Sequence, residues 1–201
     1  MRDDWVSPWW QALLLPDEWD VAGVRVPSLS VWHVFALTTL GNAFMCGGRA
    51  PTMDDAQSLL MIAARDYSRG RRLFLRPNAC ARAIRATYRR LARQDQAFTL
   101  RACAEYTETC MRHGHRLPPQ GGSGTPAGTP EPWSVYVSLR GLGETECSAW
   151  NTAYAKGRAT MDARDERAGA ATMAPGDYGE YMFDHWDEIK TQTGMREVVL
   201  N

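Results

Sequence analysis

VWHVFALTTLGNAFM, residues 31–45, is apolar on nearly every side. A helix with that pattern has no polar stripe to offer water, so it belongs at the centre of a packed domain. The run is fifteen residues long and contains His33, Thr38, Thr39 and Asn42. A membrane span needs about twenty predominantly apolar residues, so a buried core helix over about 29–44 is the better reading, and no membrane is expected. Within it, His33 reads as a hydrogen-bonded core histidine. Ser28 or Ser30 is the expected cap, and Gly47-Gly48 the stop.

Upstream, DEWDVAGVRVPSL alternates apolar and polar residues around Ala22-Gly23. That alternation predicts a short β-hairpin over 19–26, ended by Pro27. Downstream, PTMDDAQSLLMIAARDYS opens with Thr52 and Asp55 at capping-box spacing. Met53, Ala56, Leu59, Leu60, Ala63 and Tyr67 then form an apolar face, with Gly70 as the expected break.

The longest predicted helix follows Pro77 and Asn78, over about 79–113. Cys80, Ile84, Tyr88, Leu91, Phe98, Ala102, Tyr106 and Cys110 fall on one stripe, and Arg82, Arg85, Arg89 and Arg93 on another. Residues 117–132, LPPQGGSGTPAGTPEP, are dominated by Pro, Gly, Ser and Thr and read as a flexible linker. WSVYVSLRGL fits helix or strand by periodicity, and helix is favoured because neighbouring helices need cover. The stretch 144–169 reads as a helix started by Glu144 or Thr145 and weakened by Gly157, with a short helix over 178–190 in the tail.

The chain therefore reads as mainly α-helical: a helical bundle-like domain with a small N-terminal hairpin over 1–116, the linker over 117–132, and a helical C-terminal module and tail over 133–201. The first residues, MRDDWVSPWW, carry acids and tryptophans where a signal peptide would need a basic region and an apolar run. Cys46, Cys80, Cys103, Cys110 and Cys147 are odd in number and form no C-x-x-C pair, which argues against a disulfide framework and fits a reducing cytosol.

Formal net charge is zero, but it is distributed in blocks. Residues 1–64 carry three basic and seven acidic groups, and residues 65–116 thirteen basic and four acidic. Residues 144–201 carry six basic and eleven acidic. The stretch 67–93 holds nine arginines and no acid. Such a ridge either neutralises phosphates or docks on an acidic protein surface. Nucleic acid is the disfavoured of the two, because the chain is neutral and no helix-turn-helix, zinc-finger or RNA-binding signature accompanies the ridge. Arg82, Arg85, Arg89 and Arg93 are accordingly the expected partner-binding residues. Trp9 and Trp10 join them, since tryptophan is enriched at interfaces.

No enzyme is expected. Cys103, Cys110, His113 and His115 match no common zinc-ligand spacing. His185, between Asp184 and Asp187, has no nucleophile motif to serve. Neither glycine pair has the strand-to-helix setting of a phosphate loop, so no cofactor or metal is called for.

The order WDVAGVRV, WHVFALTTLGNAFMCGG, PTMDDAQSLLMIAARDYSRG and, after the linker, GLGETECSAWNTAYAKGRATMDARDERAG resembles that of phage tail assembly chaperones. The likeness runs best over 19–76 and again over 133–169. In that family the turn after the apolar helix reads Gly-Ser-Pro-Phe or similar and is followed by a glycine pair. Here it is Gly41-Asn42-Ala43-Phe44 and then Gly47-Gly48. The chain departs from the pattern at 141–144, where the family carries an aromatic residue after Gly. The resemblance implies a helical, non-enzymatic factor of the infected host's cytoplasm. It would bind the tape-measure protein, recruit tail-tube protein, and be absent from the finished particle. A homo-oligomer is compatible with it. An arginine-rich nucleic-acid-binding accessory protein and a structural neck or connector component are the alternatives.

Overall fold

The computed structural model describes residues 14–111, 116–117, 130–168 and 172–173. Over these the chain is mainly helical, with a two-stranded antiparallel hairpin near the N-terminus.

The hairpin joins β1 (Trp19–Val21) to β2 (Val24–Val26), in the register Trp19↔Val26 and Val21↔Val24. Its two turn residues both have positive φ, +51° at Ala22 and +76° at Gly23. That is the primed geometry whose twist matches two-residue hairpins. The Asp20 carboxylate fixes the turn by accepting the Gly23 N–H at 2.8 Å. Val21, Val24 and Val26 face the core, and Trp19 packs edge-on against Tyr106, with ring centroids 5.7 Å apart.

The apolar run forms α1 (Val31–Thr39), with Val31, Trp32, His33, Val34, Ala36 and Leu37 all buried. Ser30 caps it, and His33 completes a reciprocal box by accepting the Ser30 N–H on Nδ1 at 3.0 Å. That contact leaves the proton on Nε2, which donates to the Arg65 carbonyl at 2.6 Å. Both ring nitrogens are satisfied, so the histidine is a core residue. Burial drops its pKa to about 4.

The predicted single helix over 29–44 is two elements, because Gly41 takes φ +66° and Asn42 caps a new turn, α2 (Ala43–Cys46). Asn42 accepts the Phe44 N–H and donates from Nδ2 to the Asp55 carbonyl and the Ser58 hydroxyl, each at 2.9 Å. Asp55 then closes the loop. It caps α3 (Met53–Ala63) through the capping box with Thr52, accepts the Ala43 N–H at 3.1 Å, and takes a two-pronged contact from Arg49 at 2.6 and 2.7 Å. The Arg49 guanidinium holds the carboxyl well below the usual carboxylate range. The Asn42 turn and the Thr-x-x-Asp cap are thus one polar knot.

Gly70 does not end a helix. It lies inside α4 (Tyr67–Leu75), which Asp66 starts by accepting the Arg69 N–H at 2.8 Å. The predicted helix over 79–113 is likewise two. α5 (Pro77–Leu91) stops at Ala92, and Asp95 begins α6 (Gln96–Met111) by accepting the Phe98 N–H at 2.8 Å. The break resets the helical phase. Ala83, Thr87 and Leu91 are the buried face of α5, while Ile84, Tyr88 and Phe98 of the predicted stripe are exposed.

Beyond 118–129, WSVYVSLRGL lies in a helix, α7 (Glu131–Gly141). The stretch read as one helix over 144–169 is again two, α8 (Glu146–Asn151), capped by Thr145, and α9 (Tyr154–Arg167). They break at Thr152-Ala153 because those residues bond to another strand of chain. The Val31 N–H reaches the Thr152 carbonyl at 3.0 Å and the Tyr154 N–H reaches the Leu29 carbonyl at 2.7 Å. Segments before and after the Pro/Gly-rich stretch therefore share one hydrophobic core. Inside it, Arg158 pairs with Asp162 at 2.9 Å and with Glu131, tying α9 to α7. A two-residue ladder, β3 (Arg116–Leu117) with β4 (Thr172–Met173), completes the described chain.

A candidate partner-binding face on two arginine-rich helices

Helices α4 and α5 meet at a shared corner. Arg76 ends one and precedes the other, and Pro77 supplies the fixed φ suited to a first helical position. Each helix is anchored on one side only. Gly70 and Leu73 are the buried residues of α4, and Ala83, Thr87 and Leu91 those of α5. Gln57 of α3 adds a hydrogen bond to the Ile84 carbonyl at 2.9 Å.

At 100° per residue, Arg82, Arg85 and Arg89 project opposite Ala83, Thr87 and Leu91. All three are exposed, as are Arg90 and Arg93. The structure thus brings four of the predicted binding residues, Arg82, Arg85, Arg89 and Arg93, to the outer side of this helix and its end. Trp9 and Trp10 lie outside the described residues. None of these five arginines pairs with a carboxylate among the described residues. The sequence explains this: α5 contains no acid, so none of its own residues offers these arginines a carboxylate one helical turn away.

Apolar groups share the surface. Phe74 and Leu75 of α4 are 50% and 69% exposed, and Ile84 and Tyr88 of α5 are 43% and 63% exposed. Single exposed apolar residues are ordinary, but four within fifteen residues, interleaved with exposed arginines, make a mixed surface suited to binding. It offers guanidinium donors to carboxylates or phosphates and apolar area to a helix or a stacked ring.

What sequence reasoning missed lies on the inner side of α4. Trp150 is the hub of an aromatic cluster, with its ring stacked on Tyr136 at 4.2 Å and on Tyr67 at 5.7 Å. Phe35, Trp133 and Trp32 surround it at 5.4, 5.7 and 6.3 Å. These residues come from α1, α4, α7 and α8, so no periodicity within one element reveals them. The cluster fixes α4 firmly against the body. Tyr67 adds hydrogen bonds from its N–H to Asn151 at 2.8 Å and from its hydroxyl to Glu146 at 2.5 Å.

Among the described residues no group of three or more His, Cys, Asp or Glu is placed to hold a metal ion. Burial pushes the Cys103 thiol up to about 12 and the Cys110 thiol up as well, which makes both poor nucleophiles and ligands. His113, His115, Asp184, His185 and Asp187 lie outside the described residues. No helix among those described is long and apolar enough to cross a membrane.

Comparison with protein-family models, with curated proteins and with solved structures found no match.

Proposed function

We propose that this chain is a non-enzymatic assembly factor of the phage tail chaperone kind, working in the host cytoplasm. Its clients are the tape-measure protein and tail-tube protein, and they engage the outer face of α4 and α5. The observation that carries the proposal is that face: Arg82, Arg85, Arg89, Arg90 and Arg93 are exposed and have no carboxylate partner among the described residues, and Phe74, Leu75, Ile84 and Tyr88 are exposed on the same firmly anchored pair of helices. A client helix with an acidic flank and an apolar stripe is the complement of such a surface. The motifs of residues 19–76 support the same reading through their resemblance to the chaperone family.

The test is a tagged pull-down from the native host lysate, with and without nuclease, comparing the natural chain with the double variant Arg85→Glu, Arg89→Glu. A long helical protein retained after nuclease and lost in the variant is the expected result. Tyr88, exposed between Arg85 and Arg89, favours a second reading, since an aromatic ring among arginines also suits single-stranded nucleic acid. Under that reading, partners disappear with nuclease, and the variant flattens the dependence of nucleic-acid binding on salt. Finding the chain in purified particles would replace both readings with that of a neck or connector component.

A further inference from the structure

We propose that the occupant of this face is a helix with carboxylates along one edge only, and that it lies in a seam on the flank of α5 formed by Pro77, Ala81, Ile84 and Tyr88. The proposal rests on the reading of α4 and α5 as the partner-binding pair, and adds which side of α5 is occupied and by what.

The seam follows from spacing. Pro77, Ala81, Ile84 and Tyr88 stand four, three and four residues apart. That alternation keeps side chains on one line as a helix turns, and it is the spacing by which helices pair. At 100° per residue the line runs roughly 90° round α5 from Ala83, Thr87 and Leu91, so it is separate from the face that packs on the body. All four residues are exposed, Ile84 by 43% and Tyr88 by 63%. At 1.5 Å per residue the seam is roughly 16 Å long, about three helical turns. α5 therefore carries two lines of this kind, and the body covers one of them.

Charge selects the occupant. Arg85 borders the seam towards solvent, with Arg89 and Arg82 behind it, and all three are exposed. On the other border stand Thr87 and Leu91, which are buried. One edge is thus cationic and the other is the protein itself. A helix laid in the seam meets guanidinium donors on one side, and carboxylates three or four residues apart on that side are their complement. A second copy of α5 is a poor occupant, because the helix contains no acid and pairing it with itself would bring like charges together. Nucleic acid is also disfavoured, since of the four seam residues Tyr88 alone offers an aromatic ring on which a base can stack. Arg90 provides an internal control: it is exposed too, but it projects roughly 150° away from the seam.

The test is fluorescence anisotropy with the full chain and two labelled peptides of about twenty residues, long enough to form a helix in water. Both carry leucines at the four-three spacing and the same number of glutamates. In one the glutamates follow a single edge of the leucine line; in the other they lie opposite it. The single-edge peptide should bind about tenfold more tightly. Ile84→Ser with Tyr88→Ser, and separately Arg85→Gln, should each remove most of that preference, and Arg90→Gln should leave it unchanged. Circular dichroism spectra matching that of the natural chain establish that the variants are folded. Four results would overturn the proposal. They are equal affinity for the two peptides, equal losses in Arg85→Gln and Arg90→Gln, no saturation by either peptide at about 0.1 mM, or tighter binding of an oligothymidylate that Tyr88→Ser abolishes. The peptides contain no phage sequence. A failed capture of a tape-measure protein therefore leaves this result standing, and a failure here leaves the lysate experiment to judge the client reading.

Discussion

Gly70 lies directly against the indole of Trp32: a Cβ on it would stand 2.5 Å from Nε1 and 3.0 Å from Cε2. The ring has no room to retreat, because Tyr67, Phe74 and Trp150 pack edge-on around it at 5.4, 5.8 and 6.3 Å. Gly157 stands in the same relation to Val135, with a Cβ 2.8 Å from its Cγ1. Alanine at an unobstructed helix position would gain about 1 kcal/mol over glycine. At these two positions overpacking reverses the sign, and Gly70→Ala and Gly157→Ala should each destabilise by roughly 1–3 kcal/mol. Urea unfolding monitored by circular dichroism checks this; a gain in midpoint for either would refute the close contact.

Trp150→Ala should be among the most damaging single changes, at about 3–5 kcal/mol, because it empties the space shared by α1, α4, α7 and α8. Trp133→Ala should cost less, since Trp133 is 41% exposed whereas Trp150 is 5% exposed. Chemical denaturation of the two variants side by side measures the difference.

Acid should weaken the fold in two steps. His33 stays neutral in the folded chain down to about pH 4, while an unfolded histidine takes up its proton near pH 6.5. Between those values the unfolded state binds more protons, so stability is full above pH 6.5 and falls by about 3 kcal/mol as pH drops to 4. Asp55 has the opposite chemistry and the same direction. Its folded pKa is depressed, so its contribution is present above the unfolded carboxylate value and is lost as pH falls below it. Thermal unfolding across pH 7 to 3 should show the first step in the natural chain and lack it in His33→Gln.

Asp55→Ala should cost about 2–4 kcal/mol, because it strands the Ala43 and Thr52 N–H groups and removes the partner of Arg49. Arg49→Gln should be milder, since those N–H groups keep their acceptor and the guanidinium is half exposed. Reversing that order in equilibrium unfolding would mean that the ion pair, and not the capping network, holds the turn.

The arginine face separates binding from stability. Arg85→Glu with Arg89→Glu should leave the unfolding midpoint unchanged, because neither side chain has a carboxylate partner among the described residues, while partner capture is lost.

Local chemistry made much of this protein legible in its sequence. The hairpin over 19–26, the Ser30 cap, the Thr52–Asp55 box, the central apolar helix and the exposed arginines all depend on residues within a few positions of one another, and the sequence by itself determined them. What it could not determine was where long helical patterns break and which flank of each helix turns inward. Asp95 splits one helix by taking the Phe98 N–H, and Leu29 and Val31 split another by taking the backbone of Thr152 and Tyr154. Each break shifts the helical phase, which is why Ile84 and Tyr88 face out where a continuous stripe would have buried them. The Trp150 hub and the close packing over Gly70 and Gly157 were decided by tertiary structure alone. They join residues far apart in the chain, and a contact energy between distant segments leaves no period in the sequence to read.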